Sequence, residues 1–201
     1  ATHDDIVRSG RNTVDHWARR GIVGRAVLLD LARGAEAAGE RYDPASAHAF
    51  SVDDLERARR AAGVELRTGD ILLLRTGFTA WYAQADPARR DALSDRDVMT
   101  ACGIEHTEAM ARYLWNSHVA AVAADCPAVE VWPMDHTVEA FPFGCLHQML
   151  IGQFGLALGE LWWLDDLAAD CADDGVHEML LTSAPMNYPS HGSPANALAI
   201  K

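Results

Sequence analysis

The chain has 201 residues, 49% of them hydrophobic and 23% charged, which suits one globular domain with a substantial core rather than a disordered polypeptide. Its net charge of -12, from 29 acidic against 17 basic residues, repels phosphate backbones and anionic lipid and argues against nucleic-acid and membrane-surface roles. No uninterrupted apolar run approaches the length needed to span a bilayer.

The chain opens on Ala1 rather than Met, and no basic-then-apolar signal segment follows, so the expectation is a chain that has lost material from its N-terminus. "GRAVLLDLA" (Gly24–Ala32) is a short apolar run with the pattern of a strand buried on both faces. "SVDDLERARRAAG" opens with Ser51 and an acid three residues later, a capping-box start, and closes on Gly63 as a C-cap. "GDILLLRTG" (Gly69–Gly77) predicts a second buried strand and "HVAAVAAD" (His118–Asp125) a third. Between them "HTEAMARYLWN" places Met110, Tyr113 and Leu114 at helical spacing. "LDDLAADCADDG" (Leu164–Gly175) is a further helix closed by Gly, and "HEMLLTSAP" and "ANALAI" read as late strands. No internal repeat or low-complexity segment interrupts the series. Strands alternating with helices predict a single α/β domain with a mixed sheet. The loop-rich segments Ala35–Ala49, Pro127–Gly144 and Pro185–Pro194 are where functional groups of such a domain tend to sit.

Two titratable groups stand out in the apolar stretch Phe143–Leu164. "CLHQMLIGQF" has a helical apolar pattern and "GLALGE" reads as a short strand after a Gly break. His147 in the helix and Glu160 at the strand end can therefore converge, and imidazole nitrogen plus carboxylate oxygen is an ordinary ligand pair for Zn²⁺ or Mn²⁺. The spacing alone favours the ordinary alternative, a hydrogen-bonded core histidine and a solvated end residue, and two ligands do not complete a site. Cys102 with His106 and Cys145 with His147 form no four-ligand zinc framework. The cysteines, Cys102, Cys126, Cys145 and Cys171, lack CxxC spacing in a chain too large to need disulfide staples, which points to reduced core thiols and a cytoplasmic location. A serine-hydrolase reading rests only on Ser193 near His191 in "SHGSP", without a GxSxG elbow. Phe78, Trp81 and Tyr82, then Trp132 and Phe141–Phe143, cluster near loops and could wall an apolar pocket.

Five stretches in order, "GRAVLLDLA", "GVELRTGDILLLRTGF", "HVAAVAADCPAVEVWP", "LHQMLIGQFGLALGELWWLDDLAADCADDG" and "GSPANALAIK", resemble the cyclase family of kynurenine-formamidase-like proteins. The resemblance covers nearly the whole chain from about Arg11 onward. It implies a swivelling β/β/α fold, metal-dependent hydrolysis of amide or ester-like bonds in small molecules (isatin and N-formylkynurenine among the substrate types), and a homodimer or homotetramer. The family's motif, H-x-G-T-H-x-D-x-P-x-H or a relaxed G-T-x-x-D-A-x-x-H, supplies most metal ligands and a catalytic histidine, and it is not in this sequence. "ATHDD" fits T-H-x-D through Thr2, His3 and Asp5, but Ser9 stands where the closing His belongs. "RNTVDHWARRGIVGR" looks instead like the stretch that follows the motif, so residues 1–201 read as one cyclase-like domain without its N-terminal segment. The positions matching the family's C-terminal ligands are His147 and Glu160, leaving the catalytic residues unassigned. The loop positions of Phe78, Trp81 and Trp132 make them the candidate substrate neighbours. The comparison with the family adds His191, which stands in "PSHGSP" where the family's "GGxGSP" has a small residue and could alter the pocket or hydrogen-bond the substrate. Asp125 and Glu130 are candidates to orient the ligands, and fit equally the role of solvated loop acids.

In an intact member, a Zn or Mn ion would lower the pKa of a bound water from about 15.7 toward ~7 and polarise the carbonyl, while a histidine moves the proton. Three classes stand: such a hydrolase acting on C–N bonds of a small molecule; a non-catalytic chain that keeps the fold but has lost the metal centre; and an unrelated serine esterase.

Overall fold

The computed structural model describes residues 2–10 and 13–201; Ala1, Arg11, Asn12 and the side chains of His3, Ile6 and Val7 lie outside the description. The T-H-x-D match at Thr2–Asp5 and the start of "RNTVDHWARRGIVGR" therefore fall partly outside it. In chain order the elements are α1 (His3–Ser9), α2 (Asp15–Arg20), β1 (Ile22–Asp30), α3 (Leu31–Ala37), β2 (Ala49–Phe50), α4 (Val52–Ala62) and β3 (Ile71–Arg75). There follow α5 (Phe78–Gln84), α6 (Pro87–Ala92), β4 (Gly103–Ile104), α7 (Glu108–Asn116), β5 (Ala121–Ala124) and a π-helix (Gln148–Gln153). The last elements are β6 (Ala157–Gly159), α8 (Asp165–Asp174), β7 (Glu178–Ser183) and β8 (Ala197–Ile200). Among the described residues no helix is long and apolar enough to cross a membrane.

The chain falls into two compact units, Val27–Glu178 and the pair Ala1–Ala26 with Met179–Lys201. In the larger unit the strand order is β6-β5-β3-β1. β3 and β5 pair in parallel from Ile71 opposite Ala121 to Leu74 opposite Ala124, and β5 pairs in parallel with β6. Ile71–Leu74 of β3 and Ala26–Leu29 of β1 are buried at every position, which is why the sequence shows continuous apolar runs instead of alternation. Val27 and Leu29, Leu72 and Leu74, and Val122 and Ala124 share one core with Ala35 of α3, Leu55 and Ala58 of α4 and Met110, Ala111 and Leu114 of α7. In the smaller unit β7 and β8 form an antiparallel ladder from Leu180 opposite Ile200 to Ser183 opposite Ala197. That hairpin leaves Leu180, Leu198 and Ile200 exposed. The fold is thus the expected α/β type, a mixed sheet flanked by helices, of the swivelling β/β/α kind. The three strands expected to share a sheet do so.

Local chemistry sets the boundaries. Ser51 and Asp54 complete a reciprocal capping box and Gly63 closes α4 at φ 65°. Thr107 caps α7 through the Met110 N–H, and Gly175 ends α8 at φ 72°. The first strand ends earlier than its apolar run, because Asp30 accepts from the Arg33 N–H at 2.9 Å and starts α3 at Leu31. The segment expected as loop from Ala35 consequently begins with the last turn of α3. Helix α6, which the apolar pattern did not show, starts from Asp86 as N-cap with Pro87 in the first turn.

Candidate functional site

His147 lies at the N-terminal end of the π-helix, and its ring is held between two carboxylates. Nδ1 is 2.7 Å from Glu130 Oε1 and Nε2 is 2.8 Å from Glu160 Oε1. The two carboxylates differ in setting. Glu130 is 1% exposed and also accepts the Leu146 N–H at 2.7 Å and the His147 N–H at 2.9 Å. Glu160 follows β6 with its side chain 37% exposed. His147 and Glu160 thus meet directly, and of the two acids named as supports Glu130 is the one against the His147 ring.

The backbone explains how Glu130 reaches its position. Residues 129–132 run against β4 and its neighbour: the Ile104 N–H donates to Val129 O, the Val131 N–H to Ile104 O, and Ala101 and Trp132 exchange both bonds. This close approach requires Gly103, where a Cβ would fall 2.3 Å from the Glu130 carbonyl carbon and 2.6 Å from Val131 N. Val129 takes φ 59°, a conformation that costs a β-branched residue about 1–3 kcal/mol and that aims the next side chain inward. Gly103→Ala should therefore lower stability by about 2–3 kcal/mol in urea denaturation. Gly152→Ala, where a Cβ meets open space, should leave the midpoint almost unchanged.

Burial works to lower the His147 pKa, but the hydrogen bonds to Glu130 and Glu160 and their charges outweigh it and raise the pKa to about 9. The sign for stability follows. A histidine whose folded pKa exceeds its usual value of 6.5 contributes fully below that value and loses its contribution as pH rises toward 9. Thermal melts of the wild-type chain between pH 6.5 and 9 should show a fall that His147→Gln lacks. Equal pH dependence in both proteins would remove the imidazolium from the account.

The other expected residues are placed as follows. Asp125, 0% exposed at the end of β5, accepts from Thr76 N and Thr76 Oγ1, each at 2.6 Å, and from Gly77 N at 2.7 Å. It ties down the turn after β3 instead of touching His147. Burial pushes its pKa up while these donors pull it back. Phe78 is 3% exposed and part of the core, its ring 5.6 Å from that of Trp81. Arg89 lies over the Trp81 ring and Arg96 over the Trp132 ring, and Trp132 Nε1 is buried with no hydrogen-bond partner among the described residues. A cavity of about 280 Å³ is lined by Thr68, Leu114, Trp115, His118, Val119, Phe154 and Leu156. His191 is exposed in a loop of the smaller unit. Ser193 Oγ accepts from the Met186 N–H and contacts Pro194 O, so the hydroxyl is engaged by its own loop. All four cysteines are buried, and burial pushes the Cys102 thiol up to about 12.

One cluster escaped the sequence reading. Arg75 at the end of β3 contacts both oxygens of Asp30 at 2.9 and 3.1 Å and Asp165 at 2.7 and 2.8 Å. The signal was present: a charged residue ends each of two otherwise apolar strands, in "VLLDLA" and "LLLRTG".

A family profile for cyclases matches residues 1–131. The chain belongs to the Cyclase family. A crystal structure described as a novel cyclase superposes on this cyclase-family chain with TM-score 0.72 and 32% identity, covering 90% of this chain and 54% of that one. Isatin hydrolase A from Labrenzia aggregata gives 0.63 and 19%, over 96% of this chain and 67% of that one. Isatin hydrolase A from Ralstonia solanacearum gives 0.63 and 19%, over 94% and 64%. The last two show a shared fold. The cyclase chain thus spans about half the length of the first of these relatives. No match arises among curated protein sequences.

The metal that such a fold implies can be tested against the donors present. His147 Nε2 and Glu160 suit a divalent ion, and a carboxylate on the far ring nitrogen is the usual support of a metal-bound histidine. Glu130 itself is committed to two backbone amides and the ring. Among the described residues no group of three His, Cys, Asp or Glu side chains is arranged to hold an ion. Two donors fit; a zinc centre takes about three or four protein ligands.

Proposed function

We propose that these 201 residues form a cyclase-fold chain without a working metal centre of their own, in which His147 and Glu160 are two donors of a site needing further ligands. The observation that supports this reading is the clamp itself. The imidazole's outer nitrogen is spent on Glu160 at 2.8 Å, and its inner partner is spent on the backbone. Such a chain keeps the fold and the charge pair without activating water.

A second reading has its own support in the Glu130–His147 bond at 2.7 Å, the arrangement that orients a metal-binding histidine. Completed by further ligands, the site would take a Zn or Mn ion, whose chemistry is to acidify a bound water and polarise a carbonyl. His147 and Glu160 would hold it, and Glu130 would orient His147. The substrate would then be a small molecule with an amide, lactam or ester bond, in a cytoplasmic homodimer or homotetramer, with Trp81, Trp132 and His191 the residues to probe for binding.

Hydrolysis of an N-formyl aromatic amine and of an isatin-type lactam, measured with the purified chain with and without added Zn²⁺ or Mn²⁺, separates the readings. The first predicts no metal-stimulated turnover above the free metal. Chelator-sensitive turnover lost in Glu160→Gln would overturn it.

A further inference from the structure

The two nitrogens of His147 face carboxylates of opposite character, and that difference dictates which nitrogen keeps a proton when the ring is neutral. Glu130 is buried, and its oxygens already receive two backbone N–H groups, so it can act only as an acceptor in this place. A ring lone pair turned toward Glu130 Oε1 at 2.7 Å would set two acceptors against each other in a site from which water is excluded. A lone pair turned toward Glu160 is cheaper, because that side chain is 37% exposed and can take its hydrogen bonds from water. Glu130 cannot swing away to relieve the conflict. Its backbone lies against Gly103, with no room for a Cβ between them, and Val129 holds the preceding residue at φ 59°.

We infer that Glu130 is a positioning residue that fixes neutral His147 as the Nδ1–H tautomer, so that Nε2 is the lone-pair donor presented toward Glu160. An unconstrained imidazole favours the other tautomer, so the protein inverts the intrinsic preference at this ring. The inference rests on the proposed reading of His147 as a donor residue, since only this tautomer offers the outer nitrogen to a Lewis acid or a proton. It also specifies what Glu130 contributes: a fixed ring orientation and a fixed proton, with no contact to any reacting group.

The test is the long-range ¹H–¹⁵N spectrum of the ring in the full 201-residue chain, taken in alkaline buffer until His147 is neutral and assigned by its loss in His147→Gln. The expected result is a protonated-type Nδ1 and an unprotonated-type Nε2. In Glu130→Gln one amide NH₂ must face either Leu146 N–H or the ring, so the tautomer should shift toward Nε2–H or the Leu146 amide should lose its exchange protection. Glu130→Asp, which stays an acceptor, should retain more of the wild-type pattern than Gln does. An Nε2–H tautomer in the wild-type protein overturns the inference without any variant having to fold. A Glu130→Gln spectrum identical in both readouts overturns it as well. Zn²⁺ added to the same sample is a separate arm: failure to perturb Nε2 would count against the donor reading, while the tautomer result stands or falls by itself.

Discussion

Arg75→Met should destabilise the chain by about 3–5 kcal/mol in chemical denaturation, the cost of leaving charged partners in a buried network uncompensated. Asp30 is the reason. Its side chain is 5% exposed, it caps α3, and Nη1 of Arg75 donates to both its oxygens; Asp165, at the start of α8, is the second carboxylate on the same guanidinium. Removing the cation leaves Asp30 with only the Arg33 N–H and the Arg33 side chain at 3.5 Å, and Asp165 with the Thr79 hydroxyl at 3.3 Å. The matching control is the triple variant Arg75→Met with Asp30→Asn and Asp165→Asn, which removes the charges together and should recover a large part of the loss. Recovery is expected because the expense lies in the orphaned charge and not in the absent pair. A single variant with a shift under 1 kcal/mol would show that the network is solvated and contributes as a surface pair does.

Asp125→Ala should have an effect of similar size. It orphans the buried N–H and hydroxyl of Thr76 together with the half-buried N–H of Gly77, and an unsatisfied buried donor costs about 1–3 kcal/mol each. The expected total is about 3–5 kcal/mol, with the largest loss of amide exchange protection at Thr76 and Gly77. Asp125→Asn should lose less, because its remaining oxygen still accepts while its NH₂ opposes one donor. If Asn and Ala cost the same, the acceptor count does not explain the residue.

The same particulars show what could be read without a structure. The sheet was legible because β3 and β5 are buried on both faces, which forces unbroken apolar runs, and because Ser51, Gly63, Thr107 and Gly175 carry their cap chemistry locally. The meeting of His147 and Glu160 was legible as two titratable groups at the ends of an apolar stretch. The details were not. β2 and β4 are two residues each, too short to show a period, yet they carry the parallel pair that seats residues 129–132. The helix around His147 is a π-helix, whose periodicity over six residues resembles that of an α-helix. Glu130 was legible as an acid able to orient a ligand, but it sits in a segment with no regular element. The geometry that brings it to His147 depends on the positive φ of Val129 and on the bare Gly103, neither of which is a pattern in the sequence. Phe78 looked like a pocket wall because it follows a strand, whereas Gly77 in the left-handed region turns the chain into α5 and carries the ring into the core.

Zinc retention by the purified chain tests the central claim most directly. The protein, loaded with excess Zn²⁺ and dialysed against a competing chelator, should keep no stoichiometric metal, because His147 and Glu160 supply two donors and are satisfied by each other. His147→Gln and Glu160→Gln should then behave like the wild type. One equivalent of zinc surviving dialysis in the wild type and lost in both variants would contradict the account and make the described residues a metal centre in their own right.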